Sequence, residues 1–110
     1  MIIIEKNKGE KIGYVIKGNK ITIDDELMLN LEKYERDDPT HIDICRDKFD
    51  NLVCGVIPGV AETYVAQIDI PMREYDYIAN GVDDSGGPQE VPMPVPFDMG
   101  KCILTLWASN

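Results

Sequence analysis

The sequence predicts an all-β chain: one antiparallel β-sandwich or small open barrel of about seven strands, spanning residues 1–110 as a single domain. Three observations carry this. Apolar residues alternate with a period of two in successive short segments, turn signals recur between them, and the closing segment is apolar on both faces, as a covered central strand is.

The first element is a hairpin. Ile12, Tyr14 and Ile16 alternate up to Gly18-Asn19, and Ile21 and Ile23 alternate away from it. With Lys17 and Lys20 flanking the turn, Ile16 falls opposite Ile21 and Tyr14 opposite Ile23, so all four share a face. Residues Glu26 to Tyr34 fit two periods: Leu27, Leu29 and Leu31 alternate as a strand, while Leu27, Leu31 and Tyr34 suit a helical face. The neighbours on both sides favour a strand that turns between Tyr34 and Pro39.

Ile42 and Ile44 mark a half-buried strand. The segment Lys48 to Asn51 reads as a turn, and Leu52, Cys54 and Val56 as the partner strand, broken by Gly55, Pro58 and Gly59. Glu62 to Ile70 is the longest alternating run, with Tyr64, Ala66, Ile68 and Ile70 on one face, ended by Pro71. Residues 79–100 hold Gly81, Gly86, Gly87, Pro88, Pro92, Pro94 and Pro96, too many breakers for a central element, and are expected to form a long loop. Cys102 to Trp107 closes the chain as the central strand.

At 110 residues and 44% hydrophobic, the chain is large enough for one real core. Twenty acidic against 11 basic residues give a net charge of −9, which repels a phosphate backbone and argues against nucleic acid as a partner. The charge is lopsided. Residues 1–20 carry Lys6, Lys8, Lys11, Lys17 and Lys20 against Glu5 and Glu10, a net of +3, leaving −12 for the remainder. The apolar start Met1 to Ile4 is stopped by Glu5 and Lys6, so neither a signal peptide nor a transmembrane segment is expected, and synthesis in the cytoplasm follows. Three cysteines, Cys45, Cys54 and Cys102, cannot all pair within one chain.

No cofactor, metal or catalytic residue is assigned. His41, Cys45, Cys54 and Cys102 are zinc-type residues without zinc-type spacing, and Cys54 and Cys102 share strand faces with Leu52 and with Leu104 and Leu106, as small core residues do. On a strand His41 cannot reach Cys45 to activate it. Ser85 and Ser109 lie in no nucleophile-elbow context, and Asp83 and Asp84 lack the ligand alternation of a calcium loop. The most unusual string is Val91-Pro92-Met93-Pro94-Val95-Pro96-Phe97. Proline at every second position favours an extended run, read either as a cover for a sheet edge of its own domain or as a protein-binding arm. Val91, Met93, Val95, Phe97, Tyr75 and Tyr77 are the candidate interaction residues.

Thr63-Tyr64-Val65-Ala66-Gln67-Ile68-Asp69-Ile70-Pro71, the proline-rich stretch and Lys101-Cys102-Ile103-Leu104-Thr105-Leu106-Trp107 together resemble the small β-rich proteins of bacteriophage and prophage structural components. The resemblance implies an assembly or attachment role, with a place in an assembled particle, and brings no catalytic residues. The function expected is therefore a non-enzymatic structural or protein-interaction module whose partner is a protein, either itself in a homo-oligomer or another chain, and not nucleic acid or membrane. The alternative is a small-ligand or metal-binding β domain, with the loop around Asp83 and Asp84, or Tyr75 and Tyr77, lining its mouth.

Overall fold

The computed structural model describes residues 1–55, 61–82 and 86–108. Among them run ten strands: β1 (Ile2–Glu5), β2 (Tyr14–Lys17), β3 (Lys20–Ile23), β4 (Leu27–Asn30), β5 (Thr40–Asp47), β6 (Leu52–Cys54), β7 (Ala61–Ile70), β8 (Tyr75–Val82), β9 (Pro88–Pro94) and β10 (Ile103–Leu106). Two short 3-10 helices, Leu31–Tyr34 and Met99–Lys101, complete the elements. The chain is all-β. The strands fall into three sheets, none closed: β1-β10-β7-β5-β6, β2-β3-β4, and the pair β8-β9.

The first hairpin has the register that the alternation dictates, with Tyr14 opposite Ile23, Ile16 opposite Ile21 and Lys17 opposite Lys20. Its turn needs a positive φ, which Gly18 supplies at 59°. Ile21 and Ile23 are fully buried, whereas Ile16 on the outer strand is exposed. Both readings of Glu26 to Tyr34 hold in part, because β4 occupies its first half and a 3-10 turn its second. Leu29 and Leu31 are buried on either side of the change.

The second hairpin, β5 to β6, turns where expected. The Asp47 carboxylate accepts from the backbone N–H groups of Phe49 and Asn51, and those bonds, the Asn51 backbone bond foremost, hold its pKa below the usual carboxylate value. Val56, Pro58 and Gly59 lie outside the described residues.

The long strand β7 departs from simple alternation. Ile44 pairs with Ala66 but Cys45 pairs with Tyr64, so Val65 is an extra residue on β7, a β-bulge. The bulge reverses parity. Val65 and Ala66 are both buried and Tyr64 turns outward, so Tyr64 does not join Ala66, Ile68 and Ile70 in the core. The Val65 carbonyl accepts from the Trp107 backbone N–H at 3.1 Å, and the Trp107 indole donates to Gln67 Oε1 at 3.0 Å.

One core joins the two larger sheets. Ile21, Ile23, Leu29 and Leu31 from the three-stranded side pack with Ile44, Ile68, Ile70, Leu104 and Leu106 from the five-stranded side. Strand β10 is central, as the closing segment implies, between parallel β1 and antiparallel β7. Cys102 and Cys45 are buried small residues, but Cys54 is exposed. It faces the same way as fully buried Ile44, one strand further out, where β6 is the sheet's edge and the packed layer has ended.

The expected long loop over 79–100 is instead largely a ribbon, with β8 running to Val82 and β9 covering Pro88 to Pro94. Proline excludes a strand only where its N–H would be needed inward. In β9 the ladder donors are the odd residues, as the rung from Val95 N to Glu74 O at 2.8 Å fixes, so Pro92 and Pro94 put their missing N–H on the outer edge. Gly81, with φ of 77°, sits where the register shifts between Ala79 and Val82.

Candidate protein-interaction ribbon

The ribbon starts from a tied base. Arg73 N–H donates to the Arg36 carbonyl at 2.8 Å, and the Arg73 guanidinium lies 3.4 Å from Glu35 Oε1 and 3.5 Å from Asp37 Oδ1. The Tyr75 hydroxyl donates to Asp37 Oδ1 at 2.5 Å, and Lys101 Nζ donates to Glu74 Oε2 at 2.8 Å. The Tyr75 hydroxyl and the acidic groups beside it push the Arg73 guanidinium further up, and the Glu74 carboxylate does the same to Lys101. Beyond this base no other strand among the described residues pairs with the ribbon.

Residues opposite each other share a face, so Tyr75, Tyr77 and Ala79 lie with Pro94, Pro92 and Glu90, while Asp76 and Ile78 lie with Met93 and Val91 on the reverse. Both faces are apolar and open: Tyr77 is 66% exposed, Ile78 51% and Met93 47%. The only charges between residues 75 and 94 are acidic, Asp76, Asp83, Asp84 and Glu90. The two edges differ. Pro92 and Pro94 close that of β9, whereas by the same ladder the N–H groups of Tyr75, Tyr77 and Ala79 point away from β9 along the edge of β8, which no described strand covers.

The candidate residues therefore divide. Tyr77 and Met93 are presented to solvent, Val91 is half-buried among them, and Tyr75 is spent at the base on Asp37. Val95 and Phe97 lie beyond the ribbon, and Phe97 packs against the core. Tyr75 and Tyr77 lie on one face of the ribbon. Ile78 was missed because residues 79–100 read as a loop, leaving its segment without a partner; the alternation of Tyr75, Tyr77 and Ala79 was the available signal.

The other polar cluster is on the five-stranded sheet. His41 Nδ1 is 2.5 Å from Asp69 Oδ1 and Nε2 is 2.8 Å from Asp43 Oδ1, which also accepts from Gln67 Nε2 at 2.9 Å. The Asp69 bond foremost, then Asp43, raises the His41 pKa, and the Gln67 bond with His41 lowers that of Asp43. Both ring nitrogens of His41 lie against carboxylate oxygens, and neither is directed at a thiol. The concavity beside it, about 190 Å³, is lined by Thr40, Ile70, Lys101 and Ile103 and is below the usual size of a ligand pocket.

Burial pushes the thiols of Cys45 and Cys102 up, and partial desolvation does the same to the exposed Cys54, away from the reactive thiolate. Among the described residues no three His, Cys, Asp or Glu side chains are grouped to hold a metal, and no helix is long and apolar enough to cross a membrane. Asp83, Asp84, Ser85 and Ser109 lie outside the described residues. No family model matches the chain, and neither curated proteins nor solved structures yield a match, so the likeness to phage-type proteins gains no support from them.

Proposed function

We propose that this chain is a non-enzymatic structural or protein-interaction module whose working part is the β8–β9 ribbon. The observation that supports this reading is a two-stranded element with apolar residues exposed on both faces and, among the described residues, no layer packed over either. A lone ribbon of this kind gains by burying those faces elsewhere. The remaining strands are read as a small open sandwich, three strands over five, that carries the ribbon. An assembly or accessory role of the phage type is the setting this proposal favours.

The test is a capture experiment. The intact chain and the triple variant Tyr77→Ala, Ile78→Ala, Met93→Ala are immobilised and exposed to lysate of the source cells. A protein retained in defined stoichiometry by the intact chain and lost by the variant is the expected result. Equal retention by both would remove the ribbon from the account.

A further inference from the structure

We infer that the ribbon's partner is a second copy of this chain, and that the open edge of β8 adds as a strand to the open edge of β1 on that copy. This rests on the ribbon reading above and supplies its partner. Four observations lead to it.

The ribbon itself limits the geometry. Proline closes the β9 edge to strand addition, so backbone pairing is directed to β8, where the N–H groups of Tyr75, Tyr77 and Ala79 face outward. The body offers a matching edge. Among the described residues strand β1 pairs with β10 alone, through Ile2 N to the Cys102 carbonyl at 2.8 Å and Lys6 N to the Leu106 carbonyl at 3.0 Å. Even residues of β1 therefore face β10, and Ile3 and Glu5 direct their backbone groups outward.

The side chains match as well. Ile2 and Ile4 on one face and Ile3 on the other are all exposed, so β1 is apolar on both faces, as the ribbon is. Edge-to-edge pairing would continue both apolar surfaces at once. A face-to-face contact would cover only one. Charge agrees in sign: β1 leads directly into Lys6, Lys8 and Lys11 in a segment of net positive charge, and the ribbon carries acidic groups without a single Lys or Arg. Of the other edges, β6 has only three residues, β2 ends on a lysine within the strand, and β4 exposes only Met28 before it bends into the 3-10 turn at Leu31.

Because the two edges are different surfaces, the contact is heterologous and head-to-tail, and it propagates into a ring or a filament. That asymmetry provides the test. Tyr77→Pro blocks the β8 edge at an outward N–H and leaves the ribbon's own ladder intact, and Ile3→Pro does the same to β1. Light scattering after size exclusion should show the wild-type mass rising above 12.4 kDa with concentration. Each variant alone should associate about tenfold or more weakly. An equal mixture should give a particle of twice the monomer mass and nothing larger, since one open β8 edge meets one open β1 edge and both remaining edges are blocked.

A monomeric wild type, variants that assemble like wild type, or a mixture that stays monomeric would each overturn the inference. Asp76→Lys with Glu90→Lys, which leaves every backbone donor in place, guards against a proline that melts the ribbon: weaker assembly supports the pairing and unchanged assembly opposes it. If the wild type is monomeric while the capture experiment still returns a ribbon-dependent protein, self-pairing fails and the ribbon reading stands. If the ribbon variants change neither, both fall.

Discussion

His41 sits between two carboxylates, one across the strand pair and one two residues along its own strand, and this gives the chain a local dependence on pH. Its pKa is raised from 6.5, chiefly by Asp69, so its contribution to stability is complete below 6.5 and fades as pH rises through the raised value. Asp43 is lowered from 3.8, chiefly by Gln67, so its contribution is present above 3.8 and fades as pH falls through the lowered value. Both act together between these limits. His41→Gln should therefore cost most between pH 3.8 and 6.5, on the order of 0.5–1 kcal/mol because the ring is half-exposed, with the difference closing as pH rises through the raised value. Thermal melts of both proteins across pH check it; a difference that grows with pH would contradict the assignment.

The bulge at Val65 is another matter of single residues. Ile68→Ala empties a fully buried site and should cost about 3–4 kcal/mol, whereas Tyr64→Ala, four residues away on the same strand, should cost about 1 kcal/mol or less. Urea midpoints decide between this and the unbroken alternation, under which Tyr64 would be a core residue. The bulge was illegible because alternation carries no mark of an inserted residue. Tyr64-Val65-Ala66 reads equally well as exposed-buried-exposed or the reverse until a partner strand is known. The hairpin at Gly18-Asn19 was legible for the opposite reason, since its turn and its alternation are adjacent and each checks the other.

Elements differ in how far their identity is local. The composition of residues 79–100 correctly excludes a central strand, yet it does not exclude a ribbon, because the cost of proline depends on which way the missing N–H would point. That direction belongs to the pairing and not to the residue. Two substitutions at neighbouring positions separate the cases. Val91→Pro removes an inward donor of the β8–β9 ladder and should melt the ribbon, so that amides of Asp76 and Ile78 lose their protection in hydrogen-exchange mass spectrometry. Pro92→Ala restores an outward donor only and should leave that protection as it is, with stability within about 0.5 kcal/mol of wild type. Equal loss in both would mean that the parity is wrong.

At the scale of the whole molecule, single-domain statistics and the actual shape part company. A compact chain of 110 residues has a radius of gyration of about 13 Å, but this one has 18.8 Å and principal extents of 64 × 26 × 22 Å. The core between the five- and three-stranded sheets cannot produce such a length. The excess comes from an element that leaves the body, and nothing in the sequence announces length, because composition counts residues without placing them. The same geometry sets the energetic independence of the ribbon, whose polar ties to the body among the described residues are those of Arg73, Tyr75 and Lys101 at its base. Replacing residues 76–93 by a short Gly-Ser turn should therefore bring the radius of gyration in small-angle scattering down to about 13 Å. The melting temperature of the body should move by no more than about 4 °C, the shift that about 1 kcal/mol produces in a domain of this size. Scattering is to be measured where the chain is monomeric, for which the Ile3→Pro background serves. A wild-type monomer already near 13 Å would mean that the ribbon folds back onto the body, and its apolar faces would then be covered at home.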